Sequence, residues 1–571
     1  MGVPLSSSRV PGAALRERAA PARRGSGRPG VALAIMLGAQ LMIILDMTVV
    51  NIAQPHIQTS LHFSLTSLSW VANGYTLTSG GLLLLGGRAG DILGRRRMFM
   101  LGIAIFTLAS LTGGLANSAA MLLASRAVQG VGGALAAPAV LALIVSSFPE
   151  GRERTRALGV YMGVITGGSS LGLVLGGMLT EWLGWRWVLF INVPIGIAVL
   201  AAAPLFVKET PRQPGHFDAA GAITSTAGVS ALVYAFIRAS SNGWGDHLAI
   251  GAFGMAAVLL ALFIVIENKA AQPITPLRLF ADASRSGSFA ARLFLVAGMF
   301  GMFYFVTLVL QRLLGFSPLR AGVAFLPMTV ALFGMSRTAP KLMPRLGVKP
   351  MMIAGMVPAI VAMAWLSRVN PATGYWTGIF GPMMLVGIGM GIVFVPLTTT
   401  SLAGVPPKDS GAASAMVNML QLVGGSLGLA VLVAAFGTAS RNAAQHPVAG
   451  LTAFAQGQHS FAHGVAVAFL LAAILDVASL LVILLVIRVR KAAPAVATAP
   501  EPEPESVASL SRIGRNRYRD AVGVPDAAEV HQLDKRPPLR ARTRGGRDAN
   551  RITEFRAGSG RQGDGLRGVA E

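Results

Sequence analysis

Cysteine does not occur anywhere in the 571 residues. That excludes disulfides, thiolate metal sites and a cysteine nucleophile. Charge is the second scarcity: Asp, Glu, Lys and Arg make up only 13% of the chain, while 53% is hydrophobic. A soluble domain carries about 25% charged residues, and a water-soluble protein this poor in charge could not cover its own surface. The eight histidines are scattered, without a His-x-x-x-His pair or a mixed carboxylate cluster, so no metal is expected. No Gly-x-x-x-x-Gly-Lys-Ser/Thr phosphate cradle is present, which disfavours an ATP-driven pump. No nucleophile–base constellation stands out, so an enzyme fits least, and no cofactor is expected.

The apolar residues fall instead in runs of about 20, the length that crosses a hydrocarbon layer of ~30 Å. The pattern predicts fourteen spans, near 31–52, 67–88, 97–116, 120–146, 156–180, 187–207, 219–238, 248–266, 288–311, 317–336, 350–367, 374–402, 411–438 and 464–488. The N-terminal arginines followed by an apolar run superficially resemble a signal peptide. The run from Val31 to about Ile52 is too long for one, and no small-residue cleavage site follows, so it reads as an uncleaved first helix. With the N-terminus inside, the inner segments before the tail hold 24 Lys/Arg, four of them grouped at the junction of spans eight and nine: Lys269, Arg278, Arg285 and, just inside span nine, Arg292. The outer segments hold six: Arg186, Arg238, Arg312, Arg320, Arg368 and Arg441. This bias fits an inner (plasma) membrane protein with both termini cytoplasmic. The net charge of +24 is then loop charge facing anionic lipid, and nucleic acid is not an expected partner. Trp182, Trp185 and Trp187 cluster at an outer boundary, as an aromatic belt does. Beyond about Lys491 the chain becomes rich in Ala, Pro, Arg and Gly without helical period, and is expected to be disordered.

Charges inside the spans are informative because each costs several kcal/mol or more unless it faces water or a partner. Asp46 lies in span one, Arg126 in span four and Asp476 in span fourteen. At ~1.5 Å per residue, Asp46 lies roughly 8 Å and Arg126 about 9 Å from the same outer boundary. If the two helices are neighbours, the charges can pair. Desolvation and a nearby arginine pull a carboxylate's proton affinity in opposite directions, so separating or wetting such a pair makes a proton switch. The competing reading is a static ion pair. Asp476 has no obvious partner, and is either a second protonation or substrate-cation site or a hydrogen-bonded interface residue.

Span five places Gly159, Gly163 and Gly167 on one face, and Gly168, Gly172 and Gly176 on the adjacent one. Glycine at that spacing lets backbones approach closely. Between spans two and three, GRAGDILGRRR sets Asp91 at a helix end and Gly94 at a tight turn before three arginines. Topology explains the arginines but not the acid. A faint repeat relates Asp91–Gly94 to Pro344–Gly347 at an offset of 253 residues, and the same offset carries Gly172 to Gly425. Repeated bundles around a central site mark transporters.

These motifs together resemble the major facilitator superfamily, in particular its fourteen-helix drug:proton antiporter branch, over about residues 30–490. LDMTVVNIAQP (Leu45–Pro55) resembles the helix 1 motif whose aspartate, here Asp46, is tied to proton coupling. GRAGDILGRRR resembles the loop motif that gates the inner face, with Gly87, Asp91, Gly94 and Arg95 at matching positions. RAVQGVGGA resembles the helix 4 motif whose arginine, here Arg126, is linked to proton transfer. GSSLGLVLGG resembles the helix 5 antiporter motif, with Gly168, Gly172, Gly176 and Gly177. WRWVLFINVPIG (Trp185–Gly196) and LGFSPLRAGVAFLP (Leu314–Pro327) are typical of the branch. Two departures stand out: Leu173 replaces the antiporter motif's proline, removing a kink, and Gln54 interrupts the usual Ala-Leu-Pro.

The resemblance implies an all-α membrane protein of the major-facilitator type, two six-helix bundles plus two extra central helices. The expected segments are a leader (1–30), an N-terminal bundle (31–207), a two-helix insertion (208–286), a C-terminal bundle (287–490) and a cytoplasmic tail (491–571). It implies proton-coupled efflux of small lipophilic or monocationic compounds by a monomer, with Asp46 and Arg126 as coupling residues and only the substrate, protons and lipid as partners; Asp476 joins them as a coupling candidate on its position inside a span alone. Proton-coupled uptake, or a non-transporting receptor or scaffold, are the alternatives.

Overall fold

The computed structural model describes residues 29–488 apart from 213–217, 271–272, 274, 276 and 407–408. The basic leader and the tail from 491 onward therefore lie outside the described residues, apart from the leader's last two. Long helices account for most of the rest, as they must where lipid cannot satisfy backbone polar groups. In chain order they are α1 (Pro29–Leu61), α2 (Trp70–Leu93), α3 (Arg95–Gly114), α4 (Ala119–Ser147), α5 (Arg152–Trp182), α6 (Trp187–Phe206) and α7 (Ala219–Asn242). There follow α8 (His247–Lys269), α9 (Ala283–Leu313), α10 (Pro318–Leu346), α11 (Val348–Leu366), α12 (Tyr375–Leu402), α13 (Ser410–Gln445) and α14 (Ala453–Leu485). Among the described residues thirteen of these are long and apolar enough to cross a membrane. The fourteenth, α2, carries Asn73, Thr76 and Ser79 buried on its length and is more polar because it faces protein.

Side-chain caps start several helices by satisfying otherwise orphaned N–H groups. Ser118 accepts from Met121, Asp246 from Ala249, Asp282 from Arg285 and Thr452 from Ala455. At the other end, α2 and α10 stop at Gly94 and Gly347, both with positive φ (111° and 86°), a conformation glycine adopts without Cβ strain. These are the two turns that the 253-residue offset relates. The same offset superposes α1 to α4 closely on α9 to α12 in sequence.

Several helices overrun the expected spans. α10 continues to Leu346 rather than 336, and α13 to Gln445 rather than 438. α14 begins at Ala453 rather than 464, and α2 reaches Leu93, taking in Arg88 and Asp91. α9 starts at Ala283, five residues ahead of the expected 288. Arg292, grouped with the inner-loop charges above, consequently lies well inside a helix and is 2% exposed.

In the first half, α2 and α3 flank α4, and α1 packs on α5 and α6; in the second, α9 packs on α13 and α14, and α12 on α10 and α11. α7 and α8 form a hairpin, tied by an Arg238–Asp246 ion pair of 2.7 Å, and α7 lies along both α2 and α13. The hydrogen bond to Arg238 is the main cause that holds the Asp246 carboxyl below its usual range.

The two halves meet toward one end and along the α2–α13 seam as far as Gly80 and Leu422. Away from the side where α1 begins, the Leu319 N–H donates to Glu181 (2.9 Å), Gln311 donates to the Ile52 carbonyl (2.8 Å), and Arg312 donates to Gln58. There, too, the Ser426 hydroxyl lies 2.8 Å from Asn73 across the α2–α13 seam. Toward the arginine-rich side, most of α5 up to Gly167 and most of α10 beyond Leu332 is exposed. Helices that touch at 173–181 and 317–322 have separated by their other ends. The molecule is closed on one side and open on the arginine-rich one.

Candidate functional site

Asp46 and Arg126 meet. Neighbouring α1 and α4 bring Arg126 Nη1 to 2.5 Å from Asp46 Oδ2, with Asp46 wholly buried and Arg126 2% exposed. The remaining lone pairs are filled by neutral groups. Gln129 donates to Asp46 Oδ1 at 2.6 Å and to the Ser110 hydroxyl at 2.7 Å, and Asn192 donates to the same Oδ1 at 3.0 Å. Arg126 also donates to Gln129 Oε1 (2.6 Å) and to the Val71 carbonyl (3.0 Å), and lies over the Tyr75 ring at 4.7 Å. One carboxylate thereby ties α1, α4 and α6 together, with α3 attached through the Ser110 hydroxyl that accepts from Gln129 and Asn192, and α2 through Arg126. A buried ion pair needs such completion, because its mutual attraction alone does not offset desolvation. The network is closed to solvent in this conformation, and all its partners belong to the first bundle.

Gln129, Asn192, Ser110 and Tyr75 were not among the sequence candidates. Gln129 stands one turn after Arg126, and Asn192 interrupts an apolar run. A census of neutral polar residues inside the spans, and not only of charges, would have found both.

Asp476 stands apart. It is fully buried on α14, beside Gly298 of α9, and neither carboxylate oxygen has a hydrogen-bond partner among the described residues. An ionised carboxylate without partners is far costlier in this setting than a neutral acid. The interface reading, in which a neighbour hydrogen-bonds the group, has no support here.

In the loop motif, Asp91 and Arg95 form an ion pair of 2.9 Å across the turn. Gly94 is required by its φ and by Glu209, whose carboxylate would lie 3.0 Å from any Cβ there. Glu209 accepts from the Arg96 and Arg97 N–H groups (3.0 and 3.2 Å) and so caps α3 from the segment after α6. Gly87 is not a close-approach glycine: a Cβ there meets Pro138 at an ordinary 3.7 Å, whereas Gly86 presses on the Ala134 carbonyl.

The glycine faces of α5 separate in the same way. A Cβ on Gly168 would meet Leu41, on Gly172 Thr48, and on Gly176 the Val49 backbone at 2.8 Å, all on α1. Gly177 abuts the Pro318 carbonyl at the start of α10. Gly159, Gly163 and Gly167, expected to permit a close approach, face open space with nothing within 4 Å of a Cβ. Gly176→Ala should therefore destabilise the chain by about 1–3 kcal/mol through overpacking. Gly163→Ala should be neutral or stabilise by up to ~1 kcal/mol through helix propensity. Thermal unfolding of the two detergent-purified variants checks this, and equal midpoints would refute the assignment of faces. Of the aromatic cluster, Trp182 and Trp187 are exposed, but Trp185 is buried beneath Arg186.

Comparison with known proteins bears on the family and the fold. The family model described as Major Facilitator Superfamily matches residues 36–429. The puromycin resistance protein pur8 of Streptomyces alboniger is 42% identical over 406 residues, 70% of this chain and 80% of that one. The cephamycin export protein CmcT of Amycolatopsis lactamdurans is 40% identical over 414 residues, 71% and 85% of the respective chains. Among solved structures, an inward-facing bacterial homologue of the human lysosomal transporter Spinster aligns over 81% of this chain and 97% of its own. Its TM-score is 0.57 at 17% identity, a likeness of fold alone. The chain belongs to the major facilitator superfamily. It is a multi-pass membrane transporter for small molecules and not an enzyme.

Proposed function

We propose that the chain exports lipophilic, drug-like molecules in exchange for protons, by alternating access, as a monomer in the plasma membrane with its arginine-rich side facing the cytoplasm. Relatives named for puromycin resistance, cephamycin export and lincomycin resistance support the efflux reading. The excess of Lys/Arg on one side supports the orientation, which makes the present conformation open to the cytoplasm.

The observation that carries proton coupling is one buried carboxylate on α1 bonded to both α4 and α6. Protonating Asp46 removes the charge that holds Arg126, Gln129 and Asn192 in place, and so loosens the packing of α1 against α4 and α6. Bundle geometry and proton occupancy then depend on each other, as coupling requires. Asp476, buried and without partners, is a second proton carrier in the other half. Asp91, Gly94 and Arg95 form a gate that is undocked in the open state, and the Gly168–Gly177 stripe lets α5 tilt against α1. A proton entering down one pH unit and ~100 mV gains about 1.4 + 2.3 kcal/mol. That sustains a gradient of several-hundred-fold in a neutral substrate per proton, at ~1.4 kcal/mol per decade.

Drug-dependent proton flux in inverted vesicles tests the proposal. Adding a substrate drug to vesicles with an acidic lumen should discharge the pH gradient faster than in vesicles lacking the chain. Uptake by symport would give the opposite sign, and no response would refute coupling.

A further inference from the structure

Arg292 is a buried cation with no anion beside it among the described residues. It sits on α9 nine residues in from Ala283, is 2% exposed, and forms no ion pair among the described residues. Among the described residues its one hydrogen bond runs from Nη2 to the Thr398 hydroxyl of α12 at 2.5 Å, its guanidinium lies 5.4 Å from the Phe394 ring centre, and its Nε has no partner. A guanidinium carries five N–H donors. Arg126, equally buried, has a carboxylate, an amide oxygen and a backbone carbonyl around it; Arg292 has one neutral hydroxyl.

Snorkelling does not account for this. An arginine near the end of a helix ordinarily lays its stem along apolar surface and keeps its head in water, whereas this head is withdrawn from solvent. Nor does Asp476 serve as counterion. It lies on the side of α9 that meets α14, against Gly298, with both oxygens unpartnered, while Arg292 points toward α12. Phe394 and Thr398 are themselves partly exposed. Thr398 is four residues from the end of α12 at Leu402, about 6 Å at the helical rise, on the side where the halves are apart. The guanidinium thus waits one side chain behind the mouth through which a cytoplasmic solute would arrive.

We infer that Arg292 and the Thr398 hydroxyl form a receptor for an anionic oxygen group, carboxylate or phosphate, carried on an apolar molecule entering from the arginine-rich side. Planar, bidentate recognition of such groups is what a guanidinium does well, and Phe394 offers the attached body an apolar face. This rests on the export reading and narrows it: the substrates include acidic amphiphiles, not only neutral or cationic ones.

The full-length chain in proteoliposomes tests this with fluorescein as the carboxylate-bearing probe and ethidium as the cationic one. Arg292→Gln should lower the ratio of fluorescein to ethidium transport about tenfold or more, the size expected for a lost charge-assisted contact. Arg292→Lys, which keeps the charge but not the fork, should recover part of it. Both arms are run in zwitterionic lipid and again with anionic phosphatidylglycerol. Competition by that lipid in the parent but not in Arg292→Gln would assign the anion to a lipid headgroup, and indifference to it would assign the anion to the soluble solute. An unchanged ratio in Arg292→Gln would overturn the inference, as would Asp476→Asn reproducing the Arg292→Gln ratio. A parent that moves ethidium but not fluorescein sinks this inference alone; a parent that moves neither sinks the export reading beneath it.

Discussion

Asp46→Asn is expected to abolish drug-driven proton flux while leaving passive drug exchange across the membrane. The asparagine fits the same space and can still accept from Gln129 or Asn192, but it cannot hold a charge that appears and disappears. It also leaves Arg126 buried with no anion. Removing one partner of a buried pair costs about 3–5 kcal/mol, so a drop in stability must be separated from a loss of coupling. Removing both charges provides the separation. In Asp46→Asn/Arg126→Gln neither group is left uncompensated, and replacing a buried pair outright is often close to neutral. The double variant should regain most of the thermal stability lost in either single change, while proton flux stays absent. Normal drug-driven proton flux in the double variant would reduce the pair to a structural strut, and the proton path would have to run elsewhere, with Asp476 first in line.

How much of this was legible beforehand depends on what kind of signal each feature leaves. Spans were legible because twenty apolar residues have few other uses. Their ends were not, because α10 past residue 336 carries Arg337, Lys341 and Arg345, and α14 opens on Gln456, Gln458 and His459. Those stretches are polar, yet they continue helices beyond the lipid. The Asp46–Arg126 pair could be foreseen from depth alone, since two opposite charges near one level need only adjacent helices. Its neutral completion by Gln129, Ser110 and Asn192 could not, because counting charges passes over amides and hydroxyls. Arg292 was misplaced for a related reason: charge counting treats an arginine some nine residues inside a helix like one in the neighbouring loop. The cap that Glu209 places on α3 spans 113 residues of sequence, and no periodicity encodes such a contact. The α5 glycines mark a general limit. Spacing says which residues share a face, not whether anything lies opposite, and only the Gly168–Gly172–Gly176 face proved to have a neighbour.

Cross-linking the closed seam should arrest the chain. Glu181 at the end of α5 accepts from the Leu319 N–H near the start of α10, and both positions are accessible from the side away from α1's beginning. Alternating access requires one half to rock against the other around a central site, so this contact must break once per cycle. Because the sequence has no cysteine, Glu181→Cys/Leu319→Cys supplies the only thiols present, and a short bis-methanethiosulfonate, which joins them through two mixed disulfides, can bridge them without background. Export should fall in proportion to the fraction bridged and return on reduction with dithiothreitol. Arg238→Cys/Asp246→Cys serves as the control: it bridges the α7–α8 hairpin within one element pair, and bridging it should leave export intact. Undiminished export by a fully bridged Glu181/Leu319 pair would mean that the halves do not separate there. The one-sided opening would then be a fixed shape instead of one stage of a transport cycle.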